Sequence, residues 1–285
     1  MKIVKFLGGL GNQLFQYAFL LALHQKFKTV KADLSDFKSY QLHNGFELNT
    51  IFNINLPQIN SFEHKLYLRN NNKWIWRKLR QIYNTTNAYI EESPEFAYSQ
   101  KIFEDHENRY YWGYWQHIHY LNRVEDLLRQ TLQFPPFENS ENIRIQNLIH
   151  KENAVSLHVR RGDYLLEPLF KDICTEDYYR KSIEYIEETQ DSPVFVIFSN
   201  DILWCKSQFK DINAIFVDHN IGLNSFRDLQ LMSLCKHHII ANSSFSWWGA
   251  WLNGNPDKVV VSPKKWINNT SIDTSGLILS EFITF

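Results

Sequence analysis

What most restricts this chain is the order of apolar runs in its second half. Short runs at 155–159, 194–198, 214–217, 239–241 and 259–261 alternate with helical stretches near 176–188, 202–209, 225–235 and 247–252. Strands that alternate with helices predict an α/β fold with a parallel sheet and helices on both faces, because parallel neighbours need a long crossover. Ligands of such sheets sit beyond the carboxyl ends of the strands. Three polar segments occupy those ends: His158-Val159-Arg160-Arg161-Gly162-Asp163-Tyr164, Ser199-Asn200-Asp201, and Asn242-Ser243-Ser244-Phe245-Ser246.

Arg160 and Arg161 emerge where the first of these strands ends. Guanidinium forks match phosphate oxygens bidentately, so the pair suits a doubly charged anion. The plainer alternative is a surface ion pair with Asp163. The serines of 243–246 stand just before a helix, where small hydroxyls cap the helix or hold a phosphate. Asp228 either completes a capping box with Ser225 or accepts hydrogen bonds from a guanine edge.

The first half opens on a strand at 3–7, then Gly8-Gly9-Leu10-Gly11 and a helix. Asn12 is the expected N-cap, with Leu14, Phe15, Ala18, Leu21 and Ala22 on one face. Strand, glycine turn and helix let backbone N–H groups approach a phosphate. Asp33 adds a hint of a dinucleotide site, but Leu14 stands where the third glycine belongs, so a simple tight connection explains the turn as well. Residues 60–92 change character: Asn70-Asn71-Asn72 reads as a loop, and Lys73, Trp74, Trp76, Arg77, Lys78 and Arg80 follow in a basic amphipathic pattern. That pattern predicts a solvated covering helix, with an anionic membrane surface as the other reading. Tyr110-Tyr111-Trp112-Gly113-Tyr114-Trp115-Gln116 is the densest aromatic cluster, open equally to core packing and to sugar contact. Pro135-Pro136 and the polar run 138–142 mark a boundary.

Composition removes several classes. With 30 Lys and Arg against 31 Asp and Glu, the formal charge of −1 argues against nucleic acid, so an anion site must be local. Three scattered cysteines (Cys174, Cys205, Cys235) make neither a zinc pattern nor a disulfide framework and fit a reducing, cytoplasmic setting. The N-terminus lacks a signal-peptide core, and no apolar run of about 18 residues occurs. There is no D-x-D segment for a metal, no G-x-S-x-G elbow and no P-loop. His117, His119, His237 and His238 match no zinc spacing and read as ordinary histidines.

Gly8-Gly9-Leu10-Gly11-Asn12-Gln13-Leu14-Phe15-Gln16-Tyr17, the segment 158–164, and Asp228 through Ser243-Ser244-Phe245-Ser246-Trp247-Trp248-Gly249-Ala250-Trp251-Leu252 resemble the alpha-1,2-fucosyltransferases, in their bacterial, soluble branch. Gly113-Tyr114-Trp115-Gln116 and Phe198-Ser199-Asn200-Asp201 extend the resemblance along nearly the whole chain. It implies a GT-B-like α/β architecture of two Rossmann-like domains facing a cleft. Residues 1–150 would form the acceptor side and 151–285 the GDP-fucose side, the last helix or tail free to pack back on the first domain. It implies inverting transfer of L-fucose from GDP-fucose to the 2-hydroxyl of a terminal galactose, without metal or cofactor, in surface-glycan (O-antigen or capsule) synthesis. The setting would be cytoplasmic, with room for peripheral contact at the inner membrane face.

Carried over by motif, Arg160 would hold the β-phosphate, with Asp163 beside it in the catalytic set. His158 and Asp228 would address guanine or ribose. Asn242, Ser243, Ser244 and Phe245 would cradle the pyrophosphate, and Gly9, Gly11 and Asn12 would close on it. Arg161, Ser199, Asn200 and Asp201 complete the donor side, and Trp115 and Gln116 the acceptor side. The general base stays open among Asp163, Asp33 and His43. The animal members carry an anchor and a longer first domain, so their acceptors do not transfer. Two other readings remain, a transferase for another GDP-sugar such as GDP-mannose and a non-catalytic sugar-binding protein. The second has no use for a pyrophosphate grip.

Overall fold

The computed structural model describes residues 1–38, 43–68 and 73–285; the expected loop Asn70-Asn71-Asn72 lies outside them. The chain divides into Met1–Gln133 and Phe134–Phe285. Each unit is built on an all-parallel sheet, so the fold is α/β and GT-B-like, with two Rossmann-like units.

In the first unit, β1 (Lys2–Lys5), β2 (Val30–Asp33), β3 (Tyr89–Glu91) and β4 (Arg109–Trp112) lie in the order β2-β1-β4-β3. The helix Leu10–His24 follows β1 and is buried all round except at Asn12, Leu21 and His24, so the single apolar face expected for it is too narrow. Its N-cap is Gly9, not Asn12. Gly8 makes the turn at φ +79°, and a Cβ there would fall 2.4 Å from Asn12 Nδ2; the reversal is finished before Asn12, which becomes a first-turn residue. The helix Trp74–Ile82 packs on Ser61–Tyr67, which is capped reciprocally by Asn60 and Glu63. Arg80 is its one fully buried residue, donating to the carbonyls of Leu66 (3.0 Å) and Leu68 (2.5 Å).

In the second unit, β5 (Asn153–Val159), β6 (Pro193–Ser199), β7 (Ala214–Val217), β8 (His237–Ile239), β9 (Val260–Ser262) and β10 (Ile283–Thr284) lie in the order β10-β9-β8-β5-β6-β7. The chain builds outward from β5 through β6 to β7, then returns to the other side of β5. That is the doubly wound order, and its switch point lies between β5 and β8. Side chains of β5 alternate. Val155, Leu157 and Val159 join the core under the helices Glu176–Thr189 and Ile202–Gln208, whereas Ala154 joins that of Leu231 and Met232 on the helix Phe226–Leu234. Burying each Val or Leu stabilises by about 1.5–3 kcal/mol, so a one-residue slip that turned three of them outward is excluded.

Three differences from the sequence reading have local causes. β8 lies two residues before the expected run, because the chain leaves the ladder in a turn where Ser243 N–H bonds the Ala241 carbonyl at 2.7 Å. The polar stretch near 138–142 starts a helix, Ser140–Lys151, capped by Asn139. That helix packs on β5 and on Phe226–Leu234 of the second unit, although the expected domain limit at 150/151 put it with the first. The tail ends as β10 beside β9, an edge strand of the second sheet. Among the described residues no helix is long and apolar enough to cross a membrane.

Candidate active site

The polar segments after β5, β6 and β8 come together at the carboxyl end of the second sheet. Phe245 approaches the His158 ring with centroids 6.0 Å apart. Cys174 donates to Asn242 Oδ1 at 3.4 Å, and the Tyr164 phenol, pushed up chiefly by burial, meets the Ser243 side chain. From beneath, Tyr179 donates to the His158 carbonyl (3.2 Å) and Tyr178 to the Ile240 carbonyl (2.6 Å). One helix thus ties both strands that flank the switch point.

His158 shares the parity of Ala154 on β5, and so does Arg160. His158 is buried, and its Nδ1 has no partner. Burial, reinforced by the Arg160 charge, pushes its pKa down to about 3, so the ring is neutral at working pH. Arg160 lies over the Tyr164 ring at 5.0 Å, and its Nη2 donates to Asp163 Oδ2 at 2.8 Å. Its Nε is buried and unpartnered. A buried guanidinium N–H without an acceptor is rare in a finished structure and marks a place where an acceptor is expected to bind. Asp163, 63% exposed at the side chain, fixes Arg160 from the solvent side.

Arg161 has the opposite parity and goes elsewhere. Its Nε donates to Asp201 Oδ2 at 3.1 Å, and its guanidinium lies 4.0 Å over the Trp204 ring. The two arginines therefore do not form one double fork. Asn200 holds the turn between them, accepting from Arg161 N–H at 2.9 Å and returning a bond to the Arg161 carbonyl. Gly162 needs its φ of +56°, and a Cβ there would meet Asn200 Nδ2 at 2.7 Å. Ser199 accepts from Asp201 N–H, and Asp201 caps the helix Ile202–Gln208.

Ser243 is the N-cap of the helix Ser244–Leu252, accepting from Phe245 N–H at 3.3 Å. Both readings of these serines meet here, since a capped helix N-terminus still directs N–H dipoles outward. Asn242 is buried and donates to the Trp266 carbonyl, which makes it a prop for the turn. Asp228 does not join a capping box, because Ser225 caps with no side-chain bond. It accepts instead from Asn220 Nδ2 at 2.8 Å, in a chain that runs through Asn142 to His219. Burial pushes its carboxyl up to about 7.

In the first unit the corresponding switch point lies between β1 and β4, with the glycine turn after one and Gly113–Gln116 after the other. Gln116 Nε2 donates to Asn12 Oδ1 at 2.8 Å, joining the two turns. Gly9 packs against His43, whose Nδ1 would lie 3.3 Å from an added Cβ, and Gly11 is buried in the first helical turn. Trp115 is 3% exposed, at φ +56°, stacked on Phe19 at 4.4 Å; its ring faces the core, not an open surface. Asp33 sits below the usual carboxylate range: burial raises it, but Tyr110, Lys5 and Ser35 together outweigh that. It is thus a weak base.

Several contributors had no reading in the sequence. Gln13 and Gln16 brace the glycine turn through Gly8, Gly45, Leu7 and Gly113; their three-residue spacing inside the first motif was the available signal. Glu92 accepts from the N–H groups of Phe96, Tyr114 and Trp115, and no local pattern marks it. His238 is buried between Ser156 (2.8 Å) and Asn253 (2.7 Å). All three cysteines are free.

The sequence matches glycosyl transferase family 11 over residues 1–275. An alpha-1,2-colitosyltransferase of Escherichia coli is 34% identical over 95% of this chain and 94% of its own. Galactoside alpha-(1,2)-fucosyltransferase 2 of Rattus norvegicus is 29% identical over 89% of this chain and 67% of its own. In structure, the fucosyltransferase NodZ from Bradyrhizobium superposes with a TM-score of 0.51 at 14% identity, over 88% of this chain and 93% of its own, a likeness of fold.

Proposed function

This chain belongs to glycosyl transferase family 11, and from that premise we propose that it moves L-fucose from GDP-fucose to the 2-hydroxyl of a terminal galactose, with inversion and without a metal ion, in surface-glycan synthesis. The observation that carries the reading is the pair of buried, unpartnered groups at the β5–β8 switch point, Arg160 Nε and His158 Nδ1. As the sugar C1–O bond breaks, the ring gains positive charge and the bond's electrons stay on the diphosphate. Donors already held where that charge grows need no reorganisation, and one such donor is worth about 3 kcal/mol of barrier. Arg160 retains Nε for the β-phosphate while Asp163 steadies its far side. A neutral His158 adds no competing charge, and the N–H groups opening the helix Ser244–Leu252 face the same region.

Asp228 supports the nucleotide end of the reading. A carboxylate presents two acceptors to the adjacent N–H groups of guanine, and Asn220 fixes its orientation. On the acceptor side the reading rests on Gln116 with Asn12; Trp115 contributes by holding that turn from the core. The acceptor hydroxyl loses its proton in the same displacement, and Asp163 is available through its exposed carboxyl. A second donor stays in play because one relative is a colitosyltransferase. The test is product analysis: with lactose, GDP-fucose should give GDP and an alpha-1,2-linked product by NMR. Transfer from GDP-colitose alone, or from GDP-mannose alone, would replace the donor assignment.

A further inference from the structure

We propose that the face of the first unit formed by the helices Ser61–Tyr67 and Trp74–Ile82 docks on an anionic lipid surface. Residues 60–85 carry six basic side chains (Lys65, Arg69, Lys73, Arg77, Lys78, Arg80) and one acidic, Glu63, in a chain of formal charge −1. Glu63 is already paired with Lys31 and with the Asn60 N–H. Arg80 is turned inward onto backbone carbonyls. Lys65, Lys73, Arg77 and Lys78 are exposed and make no ion pair with any described residue.

Cations alone would be a solvated face. Here they surround apolar side chains that water should not see: Trp74 is 63% exposed, Ile82 73%, Tyr83 49%, Ile75 48% and Phe62 43%. All the large aromatic side chains exposed among the described residues lie on this face. Trp74, Lys78 and Ile82 follow at four-residue steps on one side of the helix, with Lys78 Nζ 5.1 Å from the Trp74 ring. Phe62 touches Tyr83 at 5.9 Å and carries the patch onto the neighbouring helix.

Charge complementarity selects the partner. A nucleic acid would use the cations and leave Ile75 and Ile82 in water. A bilayer interface takes both, because indole and phenol rings settle among headgroups, isoleucines enter the acyl boundary, and lysines meet anionic phosphates. Unpartnered apolar groups ringed by cations are the pattern of a helix lying in the plane of that interface. This surface is independent of the catalytic reading.

The full chain should be mixed with vesicles of phosphatidylcholine alone and with vesicles that also contain phosphatidylglycerol. Partition should favour the anionic vesicles by about tenfold or more. Lys73→Glu with Arg77→Glu and Lys78→Glu should abolish that preference. Trp74→Ser with Ile82→Ser should weaken binding by about tenfold. In both variants melting and transfer to a soluble acceptor should stay near wild type; if one variant does not fold, the other carries the test. Equal partition to both vesicle types, or no partition to either, would overturn the proposal. So would a wild-type oligomer that Trp74→Ser with Ile82→Ser turns into monomer, since the face would then belong to a second copy.

Discussion

At the ends of β1 and β4 the glutamines and Glu92 are bonded to the protein itself, whereas at the end of β5 two buried side-chain nitrogens, those of Arg160 and His158, are not. Gln13, Gln16, Gln116 and Glu92 each hold a named backbone group or side chain of the first unit. Arg160 Nε and His158 Nδ1 have none in the second. Both places are switch points of parallel sheets, so topology alone does not tell them apart. What separates them is the kind of group left over: at the first it is the Trp115 indole N–H, packed among aromatic rings of the core, and at the second it is a guanidinium N–H, which an anionic ligand completes.

The sharpest break in that comparison is Arg160→Ala. Turnover should fall by about a hundredfold or more, near 3 kcal/mol of barrier, with the fold's melting temperature little changed. Arg160→Lys should recover little of it, since a point charge cannot reproduce the fork. Retention of near-full activity in the lysine variant would remove Arg160 from its assigned role.

Asp228→Asn comes next, and it should act in opposite directions on binding and stability. GDP affinity should fall by about tenfold at pH 8, where the wild-type carboxyl is ionised. In the wild type, GDP should bind more weakly as pH drops below about 7, an added dependence absent from the variant. For stability the folded pKa is above the ordinary 3.8, so ionisation opposes folding. That cost grows as pH rises from the ordinary value to about 7, then levels. The unliganded variant should therefore melt higher at pH 8 and show no gain near pH 4, by about 2–4 °C per kcal/mol relieved. Equal melting of both proteins at pH 8 would contradict the burial argument.

Arg161→Ala tests whether the neighbouring guanidinium shares the work. It is bonded to Asp201 and stacked on Trp204, so turnover should fall only severalfold, with about 1 kcal/mol or less of stability lost. A loss as large as that of Arg160→Ala would restore the paired-arginine view. The smallest effect is expected at the first switch point: Gln116→Ala should raise the acceptor KM severalfold and leave GDP affinity within about twofold, one neutral hydrogen bond being worth about 1 kcal/mol.

How legible the molecule was in its sequence follows the same division. The second unit could be read almost element by element, because β6 and β7 are apolar runs with sharp polar ends and the helix at 176–189 begins at a threonine cap. The helix at 140–151 was hidden because only Asn142, Ile145 and Ile149 face inward and Asn139 looks like linker. The parting of Arg160 from Arg161 follows from strand parity, since His158 and Arg160 are two apart and Arg161 is not. The reading of them as a pair missed it. In the first unit the glycine turn was visible, but its bracing was not: Trp115 at positive φ and Glu92 beneath it depend on contacts across β3 and β4 that no local pattern encodes.

A crystal structure with GDP bound is the most direct measurement of whether β5–β8 is the unfinished site. The diphosphate should lie beyond the ends of β5 and β8, with an oxygen about 3 Å from Arg160 Nε and the base edge on Asp228. A nucleotide bound elsewhere, with Arg160 Nε still without an acceptor, would contradict the account.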